Sequence, residues 1–391
     1  MSLFTKAEHI TAKQFANVPA LLDLPPIKRA PPSVSNDLRL SSFQGDSGGP
    51  GGVCLAEGCL ITKAVKYTHQ LMHWVNPVWD NNRDDTNAIQ YLLSRELCIV
   101  PYTDGFTLYD DCNLAYFEPS LHSALDVYAF IAVTASSSTL DELLEVVKAE
   151  NDSRQQTADE TGNLDERSLD FSLPCIANPE LELVALHPEH FLPRGSVLTI
   201  YNPEQGNHKD YTVAQDQCLR ETTDPSSPCI PPFHHTQSSR QGINQLNVFL
   251  VIINAEIKFQ HYFQMVHEDP PITPLAEDVL SLMHRTIDLV KLIYWRPLPR
   301  KGTEGYKILA EIQQAYLINT GLSKELDVED NDNLVLTQTS VRTLARSYSR
   351  IEHLLDGDLE EQRDNISALM SAHYVEDDKV NLYSKPSAVE K

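Results

Sequence analysis

Nowhere does the sequence assemble the ~18 consecutive apolar residues that a membrane-spanning helix needs, so no transmembrane helix is expected. Cysteine is sparse: seven are scattered over 391 residues, without a dense framework. An odd number fits a reducing compartment, and the N-terminus, MSLFTKAEHITAKQF, has no secretory apolar core. The expectation is therefore an intracellular protein, cytoplasmic or nuclear. Sequons at Asn151 and Asn365 mean little without an export signal. Basic residues are short as well: 31 Lys and Arg stand against 55 Asp and Glu, a net charge of −24. Such a surface repels nucleic acid at long range, so a nucleic-acid partner is disfavoured and would need a local basic patch or metal ions. No GxxxxGK[ST] loop occurs, and no GxGxxG follows a strand, so nucleotide binding has no support. The apolar fraction, 41%, is low for a wholly globular chain and points to some unstructured polar segments. Oligomeric state is left open.

What is present divides the chain into five parts. Residues 1–50 are rich in Pro, Gly and Ser and read as a flexible arm. Within it, 45–50 spell GDSGGP, the nucleophile motif of trypsin-like serine proteases. That chemistry needs a His and an Asp on β-barrels upstream, and the 46 residues before Ser47 cannot build them. Residues 51–135 read as an α+β domain. Its expected elements are a hairpin over 52–66 turning at Glu57 and Gly58, a helix over 86–97 capped from Asp84-Asp85-Thr86, and a strand over 106–109. Residues 136–175 hold an amphipathic helix, 138–149, and an acidic linker, 150–166. Residues 176–300 read as β-rich. Strands are expected at 181–186, 196–201 and 248–253, the last being the most apolar run in the chain, with a long loop over 203–242 and a helix over 276–294. Residues 301–391 read as a helical tail with a disordered end. Its helices are placed at 305–317 and 340–355, the second carrying Arg342, Arg346 and Arg350 as a solvated face.

Two Cys/His groups have metal-ligating residue types but not a finger's spacing: Cys54, Cys59, His69 and His73, and then Cys218, Cys229, His234 and His235. A more ordered constellation is His69, Asn113, His122 and Asp126. His122 and Asp126 are four apart on an expected helix, one turn from each other, as a metal ligand and its orienting carboxylate often are.

The series CLIT at 59–62, THQL at 68–71, Asn113-Leu114 and LHSALD at 121–126 resembles the HNH endonuclease domain, in the variety found in a large group of fungal proteins. The resemblance covers 51–135, and more loosely 176–300. It implies an α+β fold: an HNH-like ββα-metal unit followed by a β-rich part and C-terminal helices. It also implies a metal-dependent phosphodiesterase or nuclease. In that role His69 would be the general base and Asn113 would pin the loop that orients it. His122 and Asp126 would hold a divalent metal, Mg²⁺ or Mn²⁺ rather than zinc. Three positions depart from the pattern. Thr68 stands where active members often carry a metal-binding Asp or His, Lys63 replaces a glycine, and Ala124-Leu125-Asp126 replaces Leu-Phe-Asp. Two further readings follow: a non-catalytic binding or regulatory protein on this scaffold, or a small-molecule enzyme with its pocket between the HNH-like unit and the β-rich part.

Overall fold

Two antiparallel strands and the helix after them carry all four singled-out residues, or end beside them, in the computed structural model. It describes residues 55–76, 83–101, 105–164, 166–202, 205–227, 229–235, 240, 242–268 and 275–319. The GDSGGP stretch, Cys54 and the helix expected at 340–355 lie outside these residues. Strand β1 (Gln70–His73) pairs with β2 (Leu114–Phe117) in the register Gln70↔Phe117 to His73↔Leu114. Between them runs helix α1 (Arg83–Tyr91), continued by a wide π turn, Leu92–Glu96. After β2 comes α2 (Pro119–His122), where Pro119 opens the helix with its ring-fixed φ, and this helix too widens into a π turn, Ser123–Val127. Both π turns end the same way. Cys98 and Ala129 each take φ of 50°, and Ile99 and Phe130 then donate back to Leu93 O and Ala124 O.

The expected hairpin over 52–66 is not there among the described residues. A 3-10 turn, Leu55–Glu57, leads into a tight turn instead. Residues 59–62 are threaded between two sheets: Leu60 N donates to Tyr116 O of β2, and Thr62 O accepts from Tyr201 N. The strand expected at 106–109 is also a turn. The Asp110 carboxylate accepts from Thr107 N at 3.0 Å and from Thr107 Oγ1 at 2.8 Å, and so outcompetes a strand ladder.

The remainder is α+β, as expected, with small antiparallel sheets. Strand β3 (Ile131–Ala135), fully buried, pairs with β4 (Glu180–Ala185), which pairs with β8 (Phe233–His234). A separate meander joins β5 (Leu198–Asn202), β6 (Asn207–Val213) and β7 (Leu219–Glu221). Strand β5 matches the strand expected at 196–201, while β6 and β7 fall in what reads as a loop, because β6 (NHKDYTV) is largely solvated and shows no apolar alternation. Short helical turns α4 (Pro174–Ala177) and α5 (Pro188–Phe191) flank β4.

Four long helices correct or match what the sequence leads one to expect. Helix α3 (Ser137–Thr161) replaces both the short helix and the linker. Ser136 caps it by accepting from Thr139 N, and Gly162, at φ of 69°, ends it. Its buried face continues through Asn151, Arg154, Gln155 and Ala158. The helical period is intact there, but polar side chains carry it. Asn151 donates to Leu292 O at 2.8 Å, and Gln155 donates to Leu298 O at 2.9 Å. Helix α6 (Val248–Glu268) takes the run expected as a central strand. Asn247 Oδ1 accepts from Phe249 N and Leu250 N, an N-cap, and the run 248–253 is buried on every side. Periodicity cannot tell a short all-apolar strand from the start of such a helix. Helix α7 (Glu277–Tyr294) matches its expected span and stops before Pro297. Helix α8 (Glu304–Asn319) rests on α3 at Gly305, where no Cβ fits beside the Ala158 carbonyl.

One contiguous apolar cluster runs from Cys59 to Tyr294, with α6 packed on β3 and on α7. Burial of the side chains at 248–253 contributes about 1.5–3 kcal/mol each. No helix among the described residues is long and apolar enough to cross a membrane.

Candidate functional site

His69 sits one residue before β1 and is 1% exposed, so solvent does not reach its ring. Its Nε2 lies 2.6 Å from Ala64 O. A carbonyl only accepts, so Nε2 carries the proton and Nδ1 the lone pair of the neutral ring. The same carbonyl accepts from Cys59 N at 2.8 Å. This turn needs Gly58: its φ is 71°, and a Cβ there would stand 2.6 Å from Ala64 O. Lys63, where the resemblance has glycine, also takes a left-handed φ, of 57°. Its ammonium donates to His234 O at 2.7 Å and lies over the Phe233 ring, and burial draws its pKa down to about 8. Thr68 is exposed.

Asn113 precedes β2 and is fully buried. Its Oδ1 accepts from Val75 N at 2.9 Å, and its Nδ2 donates to Val75 O at 2.8 Å and Leu108 O at 2.7 Å. Both amide hydrogens are used in closing the long excursion between β1 and β2. Asn113 therefore holds the backbone and has no donor left for a substrate. Asn113→Ala is expected to cost about 3 kcal/mol, because it leaves buried backbone groups unpaired. A urea midpoint that moves at unchanged slope checks this.

His122 and Asp126 do come together. His122 Nδ1 meets Gln70 Oε1 of β1 at 2.7 Å, and His122 Nε2 meets Asp126 Oδ2 at 3.0 Å. The wide π turn carries Asp126 on from His122, a distortion that recurs at functional sites. The other Asp126 oxygen faces a group absent from the sequence reading: Lys258 Nζ of α6, 3.8 Å away and buried. Lys258 also donates to Asn254 Oδ1 at 2.6 Å, while Asn254 Nδ2 donates to Trp74 O just beyond β1. Burial pulls the Lys258 pKa down to about 8 and the Asp126 carboxylate opposes the fall, so the ammonium is still charged at neutral pH. His73, at the end of β1, completes the neighbourhood. Burial draws it to about 4, Asp126 opposing and His122 adding to the fall, and its buried Nε2 has no hydrogen-bond partner.

These residues do not fit a divalent ion as they stand. His122 and Asp126 are bonded to each other, a fixed ammonium lies against the carboxylate, and Thr68 supplies no ligand. Among the described residues, no group of three or more His, Cys, Asp and Glu is placed to hold a metal. His69 and Asn113 serve the backbone. In the Cys/His group at 218–235 the Cys218 and Cys229 thiols meet, but the histidines turn away, His234 to Pro179 O and His235 to Glu57. A cleft of about 420 Å³ does exist, lined by Glu189, Arg194, Ser196, Thr212 and Gln215 among others, but it lies inside the β-rich part and includes none of the four residues.

Lys258 was legible only through a helix. Once 248–268 is helical, Asn254 and Lys258 are four apart on one face of an apolar element, which marks a buried polar pair. Arg240 and Glu57, buried together behind β2, have no sequence signature at all. No family model, curated protein or solved structure matches this chain.

Proposed function

We propose that β1, β2 and α2 form an HNH-like ββα unit that serves as a scaffold, and that the chain is a non-catalytic binding or regulatory protein rather than a working nuclease. The fold half of this reading is supported by the order of parts: His69 before the first strand, Asn113 before the second, and His122 and Asp126 on the helix that follows. The left-handed backbone at Lys63 suits a position where the resembled family has glycine. One observation carries the functional half. The Lys258 ammonium is fixed against Asp126, where a divalent ion would need the carboxylate. The burial of His69 and the net charge of −24 act in the same direction, since neither welcomes a phosphodiester.

The metal-dependent phosphodiesterase reading has one observation in its favour. The Ala64 carbonyl fixes the His69 tautomer, as an orienting group does for a general base. Incubation of the full chain with supercoiled plasmid and Mg²⁺ or Mn²⁺ separates the two. The scaffold reading expects no nicking beyond that of a His69→Ala control. Nicking that disappears in His69→Ala selects the nuclease.

A further inference from the structure

We propose that Cys218 and Cys229 close into a reversible disulfide that pins one wall of the cleft in the β-rich part, a modification site that does not depend on the HNH-like reading. The two sulfurs are brought together by the return of the chain after β7. Asp224 N donates to Glu221 O at 3.1 Å, and Ser227 N donates to Asp224 O at 2.9 Å. A lone bridge pairs Glu221 with Asp224. Ser227 then docks on the strand just left: its hydroxyl accepts from Glu221 N at 3.0 Å, and its carbonyl accepts from Arg220 Nη1. Asp216 holds the same strand from the other side, accepting from Cys218 N at 3.1 Å and from Arg220 Nε at 3.0 Å. Arg220 and Ser227 thus stand opposite each other. Cys218 and Cys229, each two residues further out on its arm, meet as a hydrogen-bonded pair of thiols. Both are half-buried and so open to a small molecule, whereas Cys59, Cys112 and Cys175 are buried.

The oxidant is a low-molecular-weight disulfide, RS–SR. One cysteine, as thiolate, attacks a sulfur of RS–SR and expels RS⁻, which takes up the proton. The second cysteine attacks the protein sulfur of the mixed disulfide and expels the other RS⁻. One S–S bond forms and one breaks, and the two electrons and two protons lost by the cysteines leave as two RSH. Cys218 acts as a nucleophile in either order. Burial, and then the neighbouring thiol, push it up to about 12, so closure is slow at neutral pH and quickens with alkali. Contact between the sulfurs favours the closed product all the same, which makes the pair a slow lock rather than an exchange catalyst. The lock acts on the cleft, because Cys218 O accepts from Ala214 N at 2.8 Å, and Ala214, Gln215 and Gln217 line the cleft.

The test equilibrates the reduced full chain in a mixed buffer of glutathione and glutathione disulfide, alkylates the remaining thiols and keeps the fraction of single-chain mass without reductant. Trypsin, cutting after Lys209, Arg220 and Arg240, puts the two cysteines on separate peptides, 210–220 and 221–240, each with no other cysteine. The expected result is these peptides joined by a disulfide, in about tenfold excess over the same chain held unfolded in urea, since the fold raises the effective concentration of one thiol at the other. The joined pair forms faster in alkaline than in neutral buffer, and exchange of the Ala214 amide slows on oxidation. Glutathione left as mixed disulfides on either cysteine, or joined peptides no more abundant than from the unfolded chain, overturns the proposal. An Ala214 amide that exchanges equally fast in both states overturns the lock on the cleft. None of these outcomes touches the scaffold reading, which the plasmid assay decides alone.

Discussion

Arg240→Met is expected to destabilise the protein by about 3–5 kcal/mol, more than a typical core truncation. The Arg240 side chain is wholly buried and makes a forked contact with Glu57: Nε lies 3.1 Å from each oxygen and Nη2 is 2.8 Å from Oε2. Its Nη1 donates to two carbonyls, Asp111 O at 2.6 Å and Leu114 O at 2.7 Å. These carbonyls flank Asn113, so one guanidinium, 183 residues along the chain from Glu57, ties the turn before Gly58 to the turn before β2. Removing it leaves a buried carboxylate facing the His235 imidazole, 3.4 Å away, without its guanidinium, and strips both carbonyls of a donor. Lysine cannot replace the fork, because an ammonium is a point charge without fixed planar geometry. The double variant Arg240→Met with Glu57→Gln is expected to recover part of the loss, since the unpaired charge goes with the second change. Urea midpoints for the two singles and the double give the coupling. A single-variant loss below about 1 kcal/mol would be the size of an exposed pair and would refute the argument.

Such a contact shows why part of this fold is legible in sequence and part is not. Helix α7 and strand β4 are written in local apolar spacing, and the sequence reading finds their spans nearly to the residue. His122 and Asp126 are found because a helical interval of four is a local fact. Helix α3 beyond residue 150 is missed because its buried face is polar: Asn151 and Gln155 donate to Leu292 O and Leu298 O, Asn151 also accepts from Arg167, and Arg154 is buried on the same face, so that their polarity reads as solvent. Strand β6 is missed for the opposite reason: it has little to bury. Helix α6 is misassigned because an apolar run with every side covered has no face to display, and only the cap at Asn247 betrays it. Arg240 and Lys258 are beyond local reading. Each acquires its role from a partner more than a hundred residues away, and an isolated Arg or Lys in sequence looks like surface.

The same buried polar groups set the acid limit of the fold. His73 and His187 are both held down to about 4 by burial, against an ordinary value of 6.5. Glu189 opposes the fall at His187, while His190 and His261 add to it. Burial also lowers His190, His235 and His261. Above pH 6.5 these rings are neutral in folded and unfolded chains alike, and they take nothing from stability. As pH falls from 6.5 towards 4, the unfolded chain binds protons that the folded rings refuse, so stability drops. Below 4 both states are protonated and the loss is complete. His73 and His187 alone give a slope of about 2.7 kcal/mol per pH unit and a total of up to about 7 kcal/mol. That is comparable with the whole stability of an ordinary domain. Between pH 6.5 and 5 carboxylates contribute little, because their ordinary values lie near 4. Urea unfolding at steps across that window therefore isolates the histidines. His73→Gln or His187→Gln should each remove one proton from the slope, and a stability that stays level from pH 6.5 to 5 would show that the folded protein accepts these charges.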